Sequence, residues 1–234
     1  MKLAYLFLLF FSLGALAKLP VFEQVHQTMS HYTHTEGLSQ VSVTAIAQDQ
    51  TGFIWLGTQA GLNRFDGYEF KQFFAVPERK DSLAGNFINA LCVVPHQGLW
   101  IGTSTGLSFY NFDTGLFKSY LKRYQQEIPS DQVTTLACNA EAVFVGTQSD
   151  GGYYLNVSTL VIEPIDIEKN NKINQLALNG DNLFFATYQG VYVYRLSDKH
   201  IMQLTTEAAV SLLAADQKLV IGRQDGVLQV YQNN

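Results

Sequence analysis

The sequence of 234 residues is 47% hydrophobic and 13% aromatic, whereas 15% of its residues are charged, against about 25% in a typical domain. Its net charge of −5 and isoelectric point near 5.5 exclude the basic surface of a nucleic-acid-binding protein and disfavour an anionic membrane surface. Low charge combined with 18 glycines is typical of an all-β protein rich in turns.

Residues 1–17 have the features of a secretory signal peptide. Lys2 gives a positive start, residues 3–13 are almost wholly apolar, and Ala-Leu-Ala at residues 15–17 fits a cleavage site. The apolar run is shorter than the roughly 20 residues that a membrane helix needs, and no later run is longer. We therefore predict that residues 18–234 form one exported, periplasmic domain.

A short phrase recurs along the rest of the chain: an apolar pair, then Gly-Thr, then a second Gly followed by apolar residues. Its two clearest copies begin at Trp55 and Trp100, and this spacing of 45 residues is the length of one β-propeller blade. Weaker copies surround Phe144, Phe184 and Val220. Each copy predicts a strand, a tight turn and a second strand.

The phrase belongs to five repeat units, which span residues 41–76, 86–121, 131–166, 172–205 and 208–234. We assign a structural role to the repeat positions Trp55, Gly57, Thr58, Gly61, Trp100, Gly102, Thr103, Gly106, Gly146, Thr147, Gly190, Gly222 and Gly226. Short apolar or alternating runs fill each unit, and helical periodicity is weak. The sequence predicts an all-β fold, a β-propeller of about five four-stranded antiparallel blades.

The ends of the repeat array leave two architectures open. Unit 5 stops where its fourth strand should begin, and residues 20–27 precede unit 1 without partners in that unit. If residues 20–27 supply the outer strand of unit 5, they close a five-bladed ring and remove two exposed sheet edges. Otherwise the units form an open arc of a larger propeller.

The first repeat resembles a known family. The run from Asp49 to Gly67, Asp-x-x-Gly-Phe-Ile-Trp-Leu-Gly-Thr-x-x-Gly-Leu-Asn-Arg-Phe-Asp-Gly, is similar to the two-component regulator propeller repeat. Unit 2 matches more loosely, because Pro-His-Gln at residues 95–97 replaces the Asp-x-x turn. The resemblance implies a periplasmic sensing propeller that precedes a membrane helix and an output module. In that family the module is a histidine kinase, a hybrid kinase-regulator or a diguanylate cyclase.

The function implied by this resemblance is non-catalytic recognition at the input of a two-component or cyclic-di-GMP signalling system. The implied partners are a small ligand, with carbohydrate as a candidate class, a second propeller copy, and a membrane-bound output module in a longer parent chain or a separate chain. No cofactor, metal or catalytic residue is predicted. We expect the ligand at one mouth of the central channel, where it would bias a propeller dimer between two packings.

Several residue types could carry chemistry, and each also has a structural interpretation. Trp55 and Trp100 could stack on a sugar, but they share a mid-strand position with Phe144 and Phe184, which favours a core role between blades. A second group could form a ring of channel hydroxyls but is more typical of turns: Thr58, Thr103, Thr147 and Thr187. A third could suggest paired catalytic carboxylates but repeats with the blades as turn residues do: Asp49, Asp66, Asp113, Asp150 and Asp225.

The histidines and cysteines give weaker signals. His26, His31 and His34 are close in sequence but lack the spacing of a zinc motif, so we predict no metal site. Cys92 and Cys138 lie in corresponding strands of successive repeats, one position out of phase. Because side chains alternate between the faces of a strand, we predict two free, buried thiols.

Three other function classes stay open at this stage. One is a propeller glycosidase or lyase, which would need acid and base groups at the channel mouth. Another is a structural scaffold of the cell envelope. The last is a quinone-binding propeller, which residues 47–52 suggest only weakly because Trp55 falls one residue early.

Overall fold

The computed structural model describes residues 29–121, 132–167, 171–216 and 218–232. The chain divides into two units, Met1–His31 and Tyr32–Asn234, and all described strands belong to the second. The predicted signal peptide at residues 1–17 and the predicted closing strand at residues 20–27 lie outside the described residues. A short 3-10 helix, His34–Glu36, precedes the first strand.

Within its described residues, the second unit contains five antiparallel sheets whose strands follow one another in chain order. Sheet 1 contains β1 (Val43–Gln48), β2 (Ile54–Thr58), β3 (Gly61–Phe65) and β4 (Phe70–Phe73). Sheet 2 contains β5 (Ile88–Val94), β6 (Gly98–Thr103), β7 (Gly106–Asn111) and β8 (Phe117–Tyr120). Sheet 3 contains β9 (Val133–Cys138), β10 (Ala142–Thr147), β11 (Gly152–Asn156) and β12 (Ile162–Ile165).

The last two sheets continue this pattern. Sheet 4 contains β13 (Ile173–Asn179), β14 (Asn182–Thr187), β15 (Gly190–Arg195) and β16 (Ile201–Thr205). Sheet 5 contains β17 (Ala209–Ala215), β18 (Lys218–Arg223) and β19 (Leu228–Gln232). The first strands pack on one another in the order β1, β5, β9, β13 and β17. The structure therefore confirms the predicted all-β propeller fold, with three described strands in sheet 5 instead of four.

The hydrophobic core is divided among the spaces between successive sheets. Trp55, Trp100 and Phe144 are fully buried, and each packs against the sheet that follows its own. Phe184 packs in the same way against sheet 5. These aromatic residues therefore lie on the face of each sheet that contacts the next sheet in sequence, which we call the forward face; the opposite face is the rearward face. The Trp55 and Trp100 rings belong to the core.

The first and last sheets each have an exposed apolar face among the described residues. Ile46 in β1 is 67% exposed, and Leu213 in β17 is 63% exposed. Leu213 pairs with Val220, which holds in sheet 5 the repeat position of Trp55, and Val220 pairs with Val230. Within the described residues, β1 and β17 do not pack on each other as successive first strands do.

The prediction of two free thiols is wrong, because Cys92 and Cys138 form a disulfide with a Cα–Cα distance of 6.1 Å. Cys92 pairs with Trp100 and so lies on the forward face of sheet 2. Cys138 pairs with Val143, the neighbour of Phe144 in β10. Since adjacent residues of a strand point to opposite faces and Phe144 is on the forward face, Cys138 lies on the rearward face of sheet 3. Stacked sheets meet forward face to rearward face, so residues one position out of phase in the repeat face each other.

The first glycine of the repeated phrase is required by sheet packing. A Cβ atom on Gly57 would lie 2.5 Å from Ile88 Cγ2 of the next sheet, and one on Gly102 would lie 2.6 Å from Val133 Cγ1. Gly146 meets Ile173 in the same way, at 2.8 Å. In sheet 4 the equivalent residue is Ala186, and the residue at the start of the next sheet is the smaller Ala209 in the same buried cluster.

The second glycine of the phrase has a different role, since it closes the turn. Gly61 adopts φ +131°, and Gly106 and Gly190 also have positive φ. Sheet 5 departs from the pattern: a Cβ on Gly222 would contact Ser211 Oγ, whereas Gly226, at φ +85°, has open space around it.

This packing predicts strong coupling between Gly57 and Ile88. Gly57→Ala should lower the free energy of unfolding by about 1–3 kcal/mol, because the added methyl group overpacks the space that Ile88 fills. In an Ile88→Ala background the same change should be close to neutral. Urea denaturation of both single variants and the double variant gives the coupling energy. Additive effects would contradict the packing role of this glycine.

Candidate functional site

The repeated threonines stabilise the turns between the second and third strands of their sheets. The Oγ1 atoms of Thr58 and Thr103 donate to the carbonyl oxygens of Gly61 and Gly106 at 3.0 and 2.8 Å. Each also accepts a backbone N–H two residues later. Thr147 and Thr187 donate in the same way at 2.8 Å. These hydroxyls are buried and used inside the turns.

Asp49 organises the turn between β1 and β2. Its Oδ1 accepts the backbone N–H groups of Thr51 and Phe53 at 2.9 and 3.1 Å, and its Oδ2 accepts Trp55 Nε1 at 2.8 Å. Burial alone would raise the pKa of Asp49, but the hydrogen bonds from Thr51, Trp55 and Phe53 outweigh burial and lower this pKa. The carboxylate therefore links the backbone of the turn to the indole ring of Trp55.

The lowered pKa predicts a loss of stability in acid. Because the folded pKa of Asp49 lies below its ordinary value of 3.8, its contribution is complete above pH 3.8 and is lost as the pH falls through the folded value. At pH 7, Asp49→Asn should lower the free energy of unfolding by about 2 kcal/mol, and this difference should shrink as the pH falls below 3.8. Glu207→Gln, at an exposed carboxylate, is the control, and a pH-independent deficit would contradict the prediction.

Among the other predicted turn carboxylates, Asp66 and Asp225 also accept backbone N–H groups, whereas Asp150 Oδ2 accepts the Ser149 hydroxyl at 3.2 Å. Asp66 Oδ1 accepts two backbone N–H groups, and Asp225 Oδ1 accepts that of Val227 at 3.2 Å. His34 Nδ1 lies 2.9 Å from the carbonyl oxygen of Leu38. No group of three or more histidine, cysteine or acidic side chains within the described residues could hold a metal ion. His26 lies outside the described residues.

One set of polar residues was missed by the sequence interpretation. Each first strand contains a bulge, and the bulged residue in sheets 1 to 4 is polar: Thr44, Asn89, Thr134 and Asn174. Every one of these side chains donates to a carbonyl oxygen of the next first strand. Thr44 Oγ1 reaches Ile88 at 2.6 Å, and Asn89 Nδ2 reaches Val133 at 2.7 Å.

The same bonds continue to the end of the array. Thr134 Oγ1 donates to Ile173 at 2.6 Å, and Asn174 Nδ2 donates to Ala209 at 2.8 Å. In sheet 5 the bulged residue is Val210, which is 41% exposed and has no polar group to offer. The signal was present in the sequence as a polar residue that follows the apolar residue at the start of the first strand in sheets 1 to 4.

Three of these bulged residues line a recess at the inner edge of sheets 2 to 4, with a volume of about 360 Å³. Its lining consists of Phe87, Asn89, Ser104, Gln132, Thr134, Gln148, Lys172 and Asn174. Backbone bonds fix its walls, since Ser104 N donates to Phe87 and Gln148 N donates to Gln132, both at 3.0 Å. We call this surface the axial recess.

The axial recess offers hydrogen-bonding groups and one positive charge. Amide and hydroxyl groups dominate the lining, and the Lys172 ammonium lies 5.8 Å from the centroid of the Tyr188 ring. The described lining residues include no carboxylate, imidazole or thiol. The recess can therefore hold a polar ligand, whereas acid–base chemistry would need groups from elsewhere.

Comparison with known proteins agrees with this fold. Residues 37–60, which lead into β1 and run through the β2–β3 turn, match the family model of the two component regulator propeller. The chain carries a two-component regulator propeller repeat. The matched residues include Asp49, Trp55 and Gly57, whose contacts are described above.

The relatives extend far beyond the matched part. Over 53 residues the chain is 47% identical to histidine kinase P4 of Formosa agariphila, which is 23% of this chain and 4% of the kinase. The extracellular domain assigned to a hybrid two component system, BT3049 of B. thetaiotaomicron, superposes with a TM-score of 0.74 at 24% identity. That superposition covers 88% of this chain and 30% of the BT3049 chain.

A second solved structure shows the same propeller fold. The extracellular domain assigned to a one component system, BT4673 of B. thetaiotaomicron, has a TM-score of 0.68 and 22% identity over 82% of this chain and 27% of its own. In the part of this chain that the structure describes, no helix has the length and apolar character needed to span a membrane. At these identities, the solved structures establish the propeller fold alone.

Proposed function

We propose that this chain is a non-catalytic recognition propeller, exported from the cytoplasm, which forms the input part of a two-component or cyclic-di-GMP signalling system. One observation carries the proposal. The residues that match the two-component regulator propeller are the residues that build the first inter-sheet contact, from Asp49 to Gly57. The match therefore involves the repeat's structural core.

Export is supported by three independent features. The disulfide between Cys92 and Cys138 would persist in an oxidising compartment and would be reduced in most cytosols. Two of the solved structures that share the fold are extracellular domains. The predicted signal peptide at residues 1–17 would direct the chain to the periplasm.

The ligand that we propose for the axial recess is a small polar molecule, with carbohydrate as the first class to test. Amide and hydroxyl groups from three sheets converge there, so one ligand could contact sheets 2, 3 and 4 together. Such a ligand would stabilise one arrangement of the sheets over another. A propeller dimer would pass that preference to a membrane-bound output module in a longer parent chain or a separate chain.

The exposed faces of sheets 1 and 5 support an assembly with further repeat sheets. The face around Leu213 and Val220 corresponds to the forward faces that sheets 1 to 4 bury, and the face around Ile46 corresponds to a buried rearward face. Additional sheets from a longer parent propeller would cover both. The chain spans 30% of BT3049 and 4% of histidine kinase P4, which leaves room for such sheets in proteins of this kind.

Ligand binding without turnover is the test of this proposal. The full chain is incubated with cellohexaose, xylohexaose and hexagalacturonic acid while its melting temperature is measured, and each sugar is then analysed by mass spectrometry. We expect at least one sugar to raise the melting temperature and to be recovered intact. Lys172→Gln should reduce the shift, whereas Lys218→Gln, at an exposed lysine of β18, should leave it unchanged.

Two outcomes would contradict the proposal. Shortened or unsaturated sugar products would indicate a glycosidase or lyase. A melting temperature unaffected by every sugar, together with stable capture of envelope proteins, would indicate a scaffold.

A further inference from the structure

A groove lies between sheets 2 and 3, beside the turns that join first to second and third to fourth strands. The axial recess lies at the other ends of the strands, beside the turns that join second to third strands. The groove between sheets 2 and 3 has a volume of about 480 Å³, and its lining includes His96, Trp100, Lys118, Tyr120, Val157 and Leu160. We call it the lateral groove. The equivalent space between sheets 1 and 2 is filled by aromatic side chains, and the equivalent charged residue between sheets 3 and 4 is in an ion pair.

Between sheets 1 and 2 the corresponding space is filled by aromatic rings. The centroids of Tyr110 and Phe112 lie 5.0 and 6.3 Å from that of Trp55. Strand pairing shows that Leu155 and Val157 occupy the equivalent positions opposite Trp100. Because these two side chains are smaller, the space beside Trp100 stays open as the lateral groove.

The indole N–H groups of the two tryptophans also differ. Trp55 Nε1 donates to Asp49, as described above, but the residue six positions before Trp100 is the apolar Val94. Among the described residues, the buried Trp100 Nε1 has no hydrogen-bond partner. An unpaired buried donor is unfavourable, so a ligand that accepts this bond would recover free energy on binding.

Lys118 supplies a positive charge on the same face. It pairs with Phe109, which pairs with Trp100, so the three side chains form one cross-strand row. Its Nζ lies 4.7 Å from the centroid of the Tyr120 ring. In the corresponding row of sheet 3, Glu163 holds the position of Lys118, and it forms a 2.9 Å ion pair with Lys199 of sheet 4.

At the interface of sheets 3 and 4, the charged residue at this position, Glu163, is paired with a residue of opposite charge from the next sheet. Lys118 is the charged residue at the same position in the lateral groove. On the sheet 3 side, the lining residues Val157, Ser158 and Leu160 carry no charge. The one carboxylate in the lining, Asp113, belongs to sheet 2, as Lys118 does. A carboxylate brought by a ligand would take the place that an acidic residue of sheet 3 would hold. The apolar side chains of Val157 and Leu160 and the Tyr120 ring would contact the rest of the ligand.

We propose that the lateral groove binds a small organic carboxylate with an apolar or aromatic body. The carboxylate forms an ion pair with Lys118 and accepts the Trp100 Nε1–H, and the body packs on Tyr120, Val157 and Leu160. Lys118 is exposed, so its ammonium group can turn from the Tyr120 ring toward the bound carboxylate. This site is separate from the axial recess, so its failure would leave the proposed signalling function standing.

The probe is phenylacetate, and its uncharged isostere phenylacetamide is the matched comparison. Calorimetric titration of the full chain should show saturable binding of phenylacetate at millimolar concentration and much weaker binding of the amide. Lys118→Gln and Trp100→Phe should each weaken phenylacetate binding by about tenfold or more, because each removes a charge-assisted contact. Lys71→Gln, at the equivalent lysine of sheet 1, should leave binding unchanged.

Each other result would overturn the proposal. Absence of phenylacetate binding, or equal binding of acid and amide, would remove the carboxylate site. Binding unaffected by Lys118→Gln, or reduced equally by Lys71→Gln, would place the ligand elsewhere. Lys118 is exposed, so its variant should fold and keeps the test decisive even if Trp100→Phe lowers stability.

Discussion

Removal of the Cys92–Cys138 disulfide is expected to lower the free energy of unfolding by about 4 kcal/mol. The two cysteines are separated by 46 residues in sequence, and opening a loop of this length restores considerable chain entropy to the unfolded state. The bond also joins the first strands of sheets 2 and 3, so its loss should loosen the contact beside Trp100. Urea denaturation with and without a reducing agent measures the effect.

The double variant Cys92→Ala/Cys138→Ala provides the control for this experiment. Its midpoint should match that of the reduced wild-type chain to within the cost of two small core changes, and reducing agent should not shift it further. Free thiols detected in the oxidised wild-type protein would contradict the disulfide. An unchanged midpoint on reduction would show that the bond adds no stability.

Trp55→Phe is expected to destabilise the protein by about 2 kcal/mol more than Trp100→Phe. Both changes remove the same ring atoms from a fully buried position of the same repeat. Trp55 Nε1, however, donates to the Asp49 carboxylate, and its removal leaves a buried acceptor without that bond. Trp100 Nε1 has no partner among the described residues, so its removal sacrifices no hydrogen bond.

The two variants can be compared directly by thermal or urea denaturation at pH 7. The Asp49→Ala change should be less damaging in the Trp55→Phe background than in the wild type, since the partners act as a pair. Equal costs for the two tryptophan variants would contradict the different environments assigned to them. It would also weaken the case for an open donor in the lateral groove.

The fold could be predicted from the sequence because two copies of the repeat keep the same residues at the same spacing. The spacing between Trp55 and Trp100 indicated a propeller blade, and the strands found in sheets 1 to 4 follow the predicted plan. The family resemblance rested on the run that starts at Asp49, and residues 37–60 do match that family. Local patterns of this kind depend on hydrogen bonds within one sheet.

Contacts between sheets were harder to foresee. The thiols were mispredicted because alternation within one strand was applied to residues on two facing sheets, where Cys92 and Cys138 meet. The role of Gly57 against Ile88 likewise depends on the distance between sheets. The polar bulge residues, such as Asn89, follow a repeat position, but their partners are backbone atoms that no residue pattern reveals.

The arrangement explains how a worn repeat can still form a propeller. Sheets 1 to 4 keep a small residue where the next sheet approaches and a polar bulge that bonds to that sheet. Those two features set the spacing and the alignment of neighbours. Side chains elsewhere, including those around the lateral groove, are free to vary from one interface to the next.

The central claim, that this propeller feeds a signalling output, is tested most directly by transcription in the source organism. A strain with an in-frame deletion of residues 29–232 is compared with the parent and with a strain carrying only Lys172→Gln, during exposure to the sugar that binds the purified chain. We predict that the deletion abolishes induction of a defined set of genes and that Lys172→Gln weakens it, while the sugar stays chemically unprocessed by the chain. Unchanged transcription in both strains would contradict the account.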